Sequence, residues 1–177
     1  TKDGNEIENI RKAISIAQAA LEMTLPLIRI GITEKAISNQ LVINLLKSGS
    51  DPDLPFSPIV ASGPNSANPH AVPGERELKD GDFIVIDFGA SSNGYISDIT
   101  RTFALGSIDE KMKEIYETVK LANETARAIS SDHLISKNVD TAARNIIKTA
   151  GYGDFFTHRT GHGIGLEAHE QPYITSQ

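Results

Sequence analysis

The sequence predicts an α+β fold, in which helices precede a β-hairpin and further helices lead into a second set of strands. Apolar residues recur at helical spacing over the first fifty residues. Two short β-type runs, 83–88 and 95–103, then surround a polar turn. Helical spacing returns after Gly106, before a glycine- and histidine-rich segment at 157–170. With 177 residues and 39% hydrophobic content, the chain can fill one core.

Two helices are expected in the first fifty residues. The first begins near Ile7 and ends near Gly31, and Pro26 should kink its last turns because proline lacks an amide hydrogen. The second helix can be capped by Thr33 and ended by Gly49. The residues expected to face the core are Ile10, Ile14, Ala17, Leu21, Leu25 and Ile28 in the first helix and Ile37, Leu41 and Leu45 in the second.

A proline-rich segment follows these helices. Residues 51–73 contain six of the eight prolines, which predicts a loop around a short extended piece at Ile59–Ser62. This loop carries His70.

The hairpin brings two aspartates together in either of two registers. If all four residues 91–94 form the loop, Asp87 lies directly opposite Asp98, with Cβ atoms about 4.5–5.5 Å apart. A two-residue turn at Asn93 and Gly94 instead leaves the aspartates as diagonal neighbours. Close carboxylates repel unless a cation lies between them, so the pair indicates a metal site. The competing interpretation is that Asp87 ends a strand and Asp98 caps a surface turn.

The remainder of the chain begins a second half. Asp109 can cap a third helix, and a fourth is expected from about Val139 to Ala150 with Gly151 as its stop. The residues at 172–174 predict the start of a strand, so we expect a first half at 1–105 and an incomplete second half at 106–177. The residues of the third helix expected to face the core are Met112, Ile115, Val119, Ala122 and Ala126.

Composition excludes several classes of function. The chain has no cysteine, which removes disulfides, thiolate catalysis and cysteine-based zinc sites. A net charge of −6 argues against nucleic acid or an anionic membrane as partner. No apolar run reaches membrane-spanning length and the N-terminus lacks signal-peptide form, which predicts a cytoplasmic protein.

The histidines supply the other candidate ligands. Within 157–170, His158, His162 and His169 lie at spacings of four and seven residues. Glycines on both sides of His162 allow the backbone to approach a ligand closely. Imidazole and paired carboxylates suit Mn²⁺, Co²⁺, Fe²⁺ or Zn²⁺, which predicts a metal-dependent hydrolase. His133 is interpreted as a solvated residue.

Four motifs closely resemble the pita-bread metallopeptidases, and within them the proline-specific branch of Xaa-Pro dipeptidase (prolidase) and Xaa-Pro aminopeptidase. They are Asn-Pro-His at 68–70, Ile-Asp-Phe-Gly-Ala at 86–90, Ser-Asp-Ile-Thr-Arg-Thr at 97–102 and Gly-His-Gly-Ile-Gly-Leu-Glu-Ala-His-Glu at 161–170. The resemblance covers nearly the whole chain. It implies an α+β pita-bread fold with an incomplete second half, lacking an N-terminal domain and the C-terminal remainder.

The resemblance also implies residue roles. Asp87 matches the aspartate that chelates one metal ion, Asp98 the aspartate that bridges both, and His162 the single histidine ligand. Further glutamate ligands, one of them the expected general acid/base, lie in family segments that this chain lacks, so the chain alone is expected to be inactive. The residues implied to bind substrate are His70, His158 and His169, of which His70 and His169 also act on the reacting carbonyl.

The implied reaction is hydrolysis of an Xaa-Pro amide bond by a water shared between two divalent ions, Mn or Co, with Zn or Fe as alternatives. A proline-containing peptide is the expected substrate and a homodimer the expected full-length state. The alternatives are an enzyme similar to methionine aminopeptidase, a metal-free amidinohydrolase similar to creatinase, and a non-catalytic peptide-binding module. The aspartate motifs and the Asn-Pro-His context favour the prolyl branch.

Overall fold

The computed structural model describes residues 1–129 and 135–176. The chain forms two compact units, unit 1 from residues 1–108 with 164–168 and unit 2 from residues 109–163 with 169–177. His133, interpreted above as solvated, lies outside the described residues. In the described part of the chain, no helix has the length and apolar character needed to cross a membrane.

Unit 1 begins with helix α1, Gly4–Thr24. A capping box starts it, in which the Asp3 carboxylate accepts from the Glu6 amide at 2.9 Å and the Glu6 carboxylate accepts from the Asp3 amide at 2.7 Å. The prediction that this helix continues to near Gly31 is wrong. A 3-10 turn at Leu25–Leu27 replaces the α-helix because Pro26 cannot extend it.

The buried face of α1 differs from the predicted one. Ala17 and Leu21 are buried as predicted, but Ile10 and Ile14 are only partly buried. Small side chains allow α1 to pack closely on the rest of unit 1, so the face of the helix that carries the alanines is the buried one. The residues buried on α1 are Ala13, Ile16, Ala17, Ala20, Leu21 and Thr24.

Helix α2, Glu34–Lys47, follows the prediction. The Thr33 hydroxyl accepts from the Ala36 amide at 3.1 Å, and Gly49 ends the helix region with a φ of +99°. The predicted core residues Ile37, Leu41 and Leu45 are fully buried.

A three-stranded antiparallel sheet completes the core of unit 1. It has the order β1 (Ile59–Ser62), β2 (Phe83–Phe88) and β5 (Ile99–Ala104). Burial alternates along β2, with every second side chain packed into the core that the helices share. The short strands β3 (Ser91–Ser92) and β4 (Tyr95–Ile96) extend the hairpin.

Unit 2 contains helices α3 (Glu110–Ala128) and α4 (Ser136–Thr149) and the strand pair β6 (Gly161–Gly163) and β7 (Glu170–Ile174). The predicted cap is confirmed, because the Asp109 carboxylate accepts from the Met112 amide at 2.7 Å. Gly151 follows α4 with a φ of +86°, as expected for a helix stop.

The predicted core face of α3 is only partly correct. Ala122 and Ala126 are buried against α4, but Ile115 and Val119 are 37% and 54% exposed. The reason is that α4 packs on the part of α3 that carries the alanines. The preceding turns of α3 line an open apolar groove in unit 2.

Candidate active site

The hairpin register decides how the two aspartates are related. The pairing of β3 with β4 leaves only Asn93 and Gly94 in the turn, and β2 pairs Asp87 with Thr100. Asn93 and Gly94 have φ angles of 52° and 79°, as a type I′ turn requires. The predicted four-residue loop, with Asp87 directly opposite Asp98, is therefore wrong. The two-residue turn, with the aspartates as diagonal neighbours, is confirmed.

Asp87 and Asp98 lie on the same face of the hairpin. Asp98 directly precedes β5, and continuing the alternation of that strand back by one residue places Asp98 on the face of Thr100, the partner of Asp87. The Thr100 hydroxyl donates to Asp87 Oδ1 at 2.7 Å, and both aspartates are partly buried. Diagonal neighbours are about 7–8 Å apart. Two carboxylates that converge from such positions can serve ions about 3.5–4 Å apart.

Ser97 anchors the strand beside Asp98. Its amide donates to the Ala90 carbonyl at 2.9 Å, and its hydroxyl donates to the Ala13 carbonyl at 3.2 Å and accepts from the Ala90 amide at 3.0 Å. Ser97 is fully buried. These bonds connect α1 to both strands of the hairpin. They fix the backbone position of Ser97, the residue directly before Asp98.

Gly89 permits the close backbone approach after Asp87. A Cβ there would overlap the carbonyl oxygen of Ser97 and would lie 2.7 Å from Pro55 Cγ. No larger residue fits without moving the strand that leads to Asp98. This explains the glycine two positions after Asp87.

His70 lies on an exposed loop of unit 1. Its amide donates to Asn68 Oδ1 at 2.9 Å, and the Ala71 amide donates to the Asn68 carbonyl at 3.1 Å. This Asx turn fixes the local backbone around the histidine.

His162 and His169 lie together in unit 2. Their ring centroids are 4.3 Å apart and the rings are inclined at 45°. His162 Nδ1 is 3.0 Å from the Gly163 carbonyl oxygen, which can only accept, so this contact requires the proton on Nδ1. In the neutral ring the lone pair is then on Nε2, which is the tautomer that a metal-binding histidine uses when its other nitrogen donates to a carbonyl.

His158 is held through its backbone. Arg144 donates to the carbonyl oxygens of Phe156 at 2.7 Å and His158 at 3.0 Å. Arg144 also donates twice to the fully buried Asp140, at 2.9 and 3.0 Å, and the Thr160 hydroxyl donates to the same carboxylate at 2.6 Å. The Arg144 guanidinium holds the pKa of Asp140 well below its usual range. This network fixes the residues that lead to His162.

His158 is among the residues that line an open cavity of about 610 Å³ in unit 2. The described residues around that cavity include Arg159 and Tyr173 but neither His162 nor His169. The Arg159 guanidinium stacks over the Tyr173 ring at 4.4 Å.

The ligand types fit a divalent metal, but neither unit holds a complete set. Among residues 1–129 and 135–176, no group of three or more His, Asp or Glu side chains is arranged to hold an ion. Asp87 and Asp98 belong to unit 1, whereas His162 belongs to unit 2. Oxygen and imidazole donors without thiolates match Mn, Co, Fe or Zn, and such ions take four or more ligands.

The supporting residues were not identified from sequence. Asp140 and Arg144 are four residues apart on α4, a spacing that is also typical of ion pairs on the surface of a helix. Glu34, at the start of α2, is almost fully buried beneath the His70 loop. Thr100 lies in the Ser-Asp-Ile-Thr-Arg-Thr motif at 97–102, but its hydrogen bond to Asp87 depends on the hairpin register.

Comparison with known proteins identifies the family. A model of metallopeptidase family M24 matches residues 8–177. The Xaa-Pro dipeptidase of Pyrococcus furiosus is 42% identical over 174 residues, which cover 98% of this chain and 50% of the relative. The chain thus spans about half the length of that curated relative.

Solved structures match equally well. The X-Pro aminopeptidase of Thermotoga maritima MSB8 has a TM-score of 0.95 at 43% identity, covering 99% of this chain and 50% of the other. The Xaa-Pro dipeptidase of Bacillus anthracis has a TM-score of 0.96 at 43% identity, covering 99% and 49%. The fold is the predicted α+β pita-bread fold, matched over about half of each structure. This chain belongs to metallopeptidase family M24.

Proposed function

We propose that this chain carries part of the active site of a peptidase that cleaves the amide bond before proline, as an Xaa-Pro dipeptidase or aminopeptidase. The observation that supports it most is the placement of Asp87 and Asp98 on one face of a hairpin, in a chain of family M24. A relative named aminopeptidase and one named dipeptidase have the same sequence identity to this chain, 43%. The proposal therefore covers both a dipeptide and a longer peptide as substrate.

The proposed metal ligands are Asp87, Asp98 and His162, which would hold two divalent ions, Mn or Co, together with ligands from outside this chain. The chemistry that such ions would supply is polarisation of the scissile carbonyl and a lowered pKa of bound water, so that the water could react near neutral pH. The chain supplies metal-ligating side chains whose orientation is fixed by hydrogen bonds. Thr100 orients the Asp87 carboxylate, and the Gly163 carbonyl sets the tautomer of His162.

The remaining histidines are proposed to bind and orient the peptide. The prolyl nitrogen of the substrate carries no hydrogen, so it cannot donate to the enzyme at the scissile bond. Imidazole donors from His70 and His169 would instead contact the carbonyl oxygen as negative charge develops on it. His158 would contact the peptide beside them.

The test is a substrate comparison with the full-length protein loaded with Mn²⁺. We expect hydrolysis of Ala-Pro, no hydrolysis of Met-Ala, and loss of activity with a chelator. Cleavage of Met-Ala alone would establish the methionine aminopeptidase alternative. Failure to cleave either peptide, with metal retained, would favour the non-catalytic module and refute the proposal.

The 177-residue chain by itself is proposed to be inactive, because its own ligands do not complete the site. Measurable Ala-Pro hydrolysis by the purified chain would refute this. A homodimeric state stays a prediction from the resemblance, and a cytoplasmic location stays a prediction from the sequence.

A further inference from the structure

A single buried carboxylate joins both ends of the loop that carries His70. Glu34 is only 1% exposed. Its Oε1 accepts from the amide and the hydroxyl of Ser62 at 2.8 and 2.7 Å, and its Oε2 accepts from the Gly74 amide at 3.3 Å. The Asn65 side-chain amide donates to both oxygens, at 3.1 and 3.3 Å. Glu34 therefore contacts two residues near the start of the segment 62–76, Ser62 and Asn65, and one near its end, Gly74.

The backbone of α2 binds the same loop. The Glu34 amide donates to the Arg76 carbonyl and the Lys35 amide to the Gly74 carbonyl, both at 3.0 Å. The first amides of a helix have no partner within the helix, so the loop satisfies them. The end of the loop is thus held by the side chain and the backbone of α2 together.

An ion pair joins the two ends of the loop at its base, which we define as Ser62, Gly63, Arg76 and Asp82. Arg76 donates to Ser62 Oγ at 2.5 Å and to both carboxylate oxygens of Asp82 at 2.7 and 2.9 Å. Burial acts to raise the pKa of Asp82, but the bonds from Arg76 and the Lys79 amide outweigh it and lower the pKa. A Cβ on Gly63 would lie 2.5 Å from both Arg76 Nη2 and Asp82 Oδ1, so a side chain at this position would displace the ion pair.

The apex of the loop is exposed, whereas its base is buried. His70 is exposed and Val72 is 85% exposed, whereas Ser62 is fully buried at the end of β1. β1 pairs with β2 from Ile59 opposite Asp87 to Ser62 opposite Ile84. The base is therefore built onto the strand pair that carries the proposed metal ligand.

We propose that Glu34 is a positioning residue for His70, acting by holding both ends of the 62–76 loop against the sheet. The proposal rests on the proposed function and extends it to a residue that touches neither metal nor substrate. A buried ion or ion pair is weak evidence for stability, because an apolar side chain can often replace it at no loss. A carboxylate that bonds three separate points of one loop instead specifies the geometry of that loop.

The first test compares two charge-removing variants in the full-length, Mn²⁺-loaded protein. Glu34→Gln replaces one acceptor oxygen by a donor and is expected to lower kcat/KM for Ala-Pro by about 10- to 100-fold, with unchanged metal content. Glu75→Gln is the matched control on the same loop, because its carboxylate is exposed and its ion-pair partner among the described residues is the exposed Lys35 side chain, at 2.9 Å. It should change kcat/KM by less than about twofold. Equal effects of the two variants would overturn the proposal.

A double-mutant cycle separates positioning from general destabilisation. If Glu34 acts through His70, Glu34→Gln should have little further effect once His70→Ala is present. Effects that multiply would show that Glu34 acts by another route and would overturn the proposal. If Glu34→Gln does not fold, Asn65→Ala takes its place in the cycle, since it removes only two of the bonds to Glu34.

Hydrogen exchange provides a readout that needs no activity. Glu34→Gln, or Asn65→Ala in its place, should speed exchange of the amides at 64–74 and leave those of β2 unchanged. Unchanged exchange at 64–74 would overturn the positioning proposal even in an active enzyme. A wild-type protein that cleaves no Xaa-Pro peptide, but shows the exchange effect, would refute the proposed function instead.

Discussion

Replacing Asp140 by asparagine should destabilise unit 2 by about 3 kcal/mol. Asp140 is fully buried and accepts from Arg144 twice and from Thr160 once. The asparagine would place an amide donor against a guanidinium or a hydroxyl. Breaking a buried ion pair costs about 3–5 kcal/mol, and the lower value applies because Arg144 is 29% exposed and water can solvate it.

The pH dependence of this effect follows from the pKa of Asp140. Arg144 lowers that pKa from its ordinary value of 3.8, so the folded state binds the proton more weakly than the unfolded state. The stabilisation is therefore fully present above the unfolded pKa and is lost as the pH falls through the folded pKa. The difference between wild type and Asp140→Asn should be constant from about pH 5 to 7 and should shrink below about pH 4.

The assay is urea unfolding followed by far-UV circular dichroism, because the chain has no tryptophan. Hydrogen exchange of α4 assigns the change to unit 2. Asp154→Asn is the matched control, since it removes an exposed carboxylate from the same unit and should cost less than about 0.5 kcal/mol. Wild-type stability in Asp140→Asn, or a difference that grows below pH 4, would refute the reasoning.

The other two predictions concern the hairpin that carries the aspartates. Gly89→Ala should destabilise unit 1 by about 1–3 kcal/mol because the added Cβ overlaps Ser97. Gly4→Ala is the control, since a Cβ there meets open space and should not change stability. Equal thermal stability of the two variants would contradict this prediction. Ser97→Ala should cost about 1–3 kcal/mol because the buried Ala90 amide loses its acceptor. Ser15→Ala, which removes an exposed hydroxyl from α1, is its control in chemical denaturation, and similar midpoints for both serine variants would refute that prediction.

Local chemistry predicted most elements of the fold. The caps at Thr33 and Asp109 and the stops at Gly49 and Gly151 each depend on neighbouring residues, and all lie where the sequence indicates. The strand at Ile59–Ser62 was likewise visible as the apolar piece of a proline-rich loop. Interactions that act within a few residues can be inferred from a single sequence.

The hairpin register could not be settled in this way. Residues 91–94 all have turn-forming character, which fits either a four-residue or a two-residue loop. Ser91 pairs with Ile96 in the hairpin, and in addition its amide donates to the Ser50 hydroxyl at 3.0 Å and its hydroxyl donates to the Asp53 carbonyl at 2.8 Å. Ser50 and Asp53 are about forty residues away, so no local pattern reports them.

The supporting networks were missed for the same reason. Glu34 meets Ser62 and Gly74 across 28 and 40 residues, and its burial follows from the loop that covers it. The roles of Asp87, Asp98 and His162 were predicted from the resemblance, since spacing alone indicated only a metal-dependent hydrolase.

Metal analysis of the full-length protein with and without Asp98→Ala tests the proposed dinuclear site most directly. We predict two divalent ions per wild-type polypeptide, and loss of both metal and Ala-Pro hydrolysis in Asp98→Ala, while Asp154→Ala retains both. Normal turnover and normal metal content in Asp98→Ala would contradict the assignment of that aspartate to the metal site.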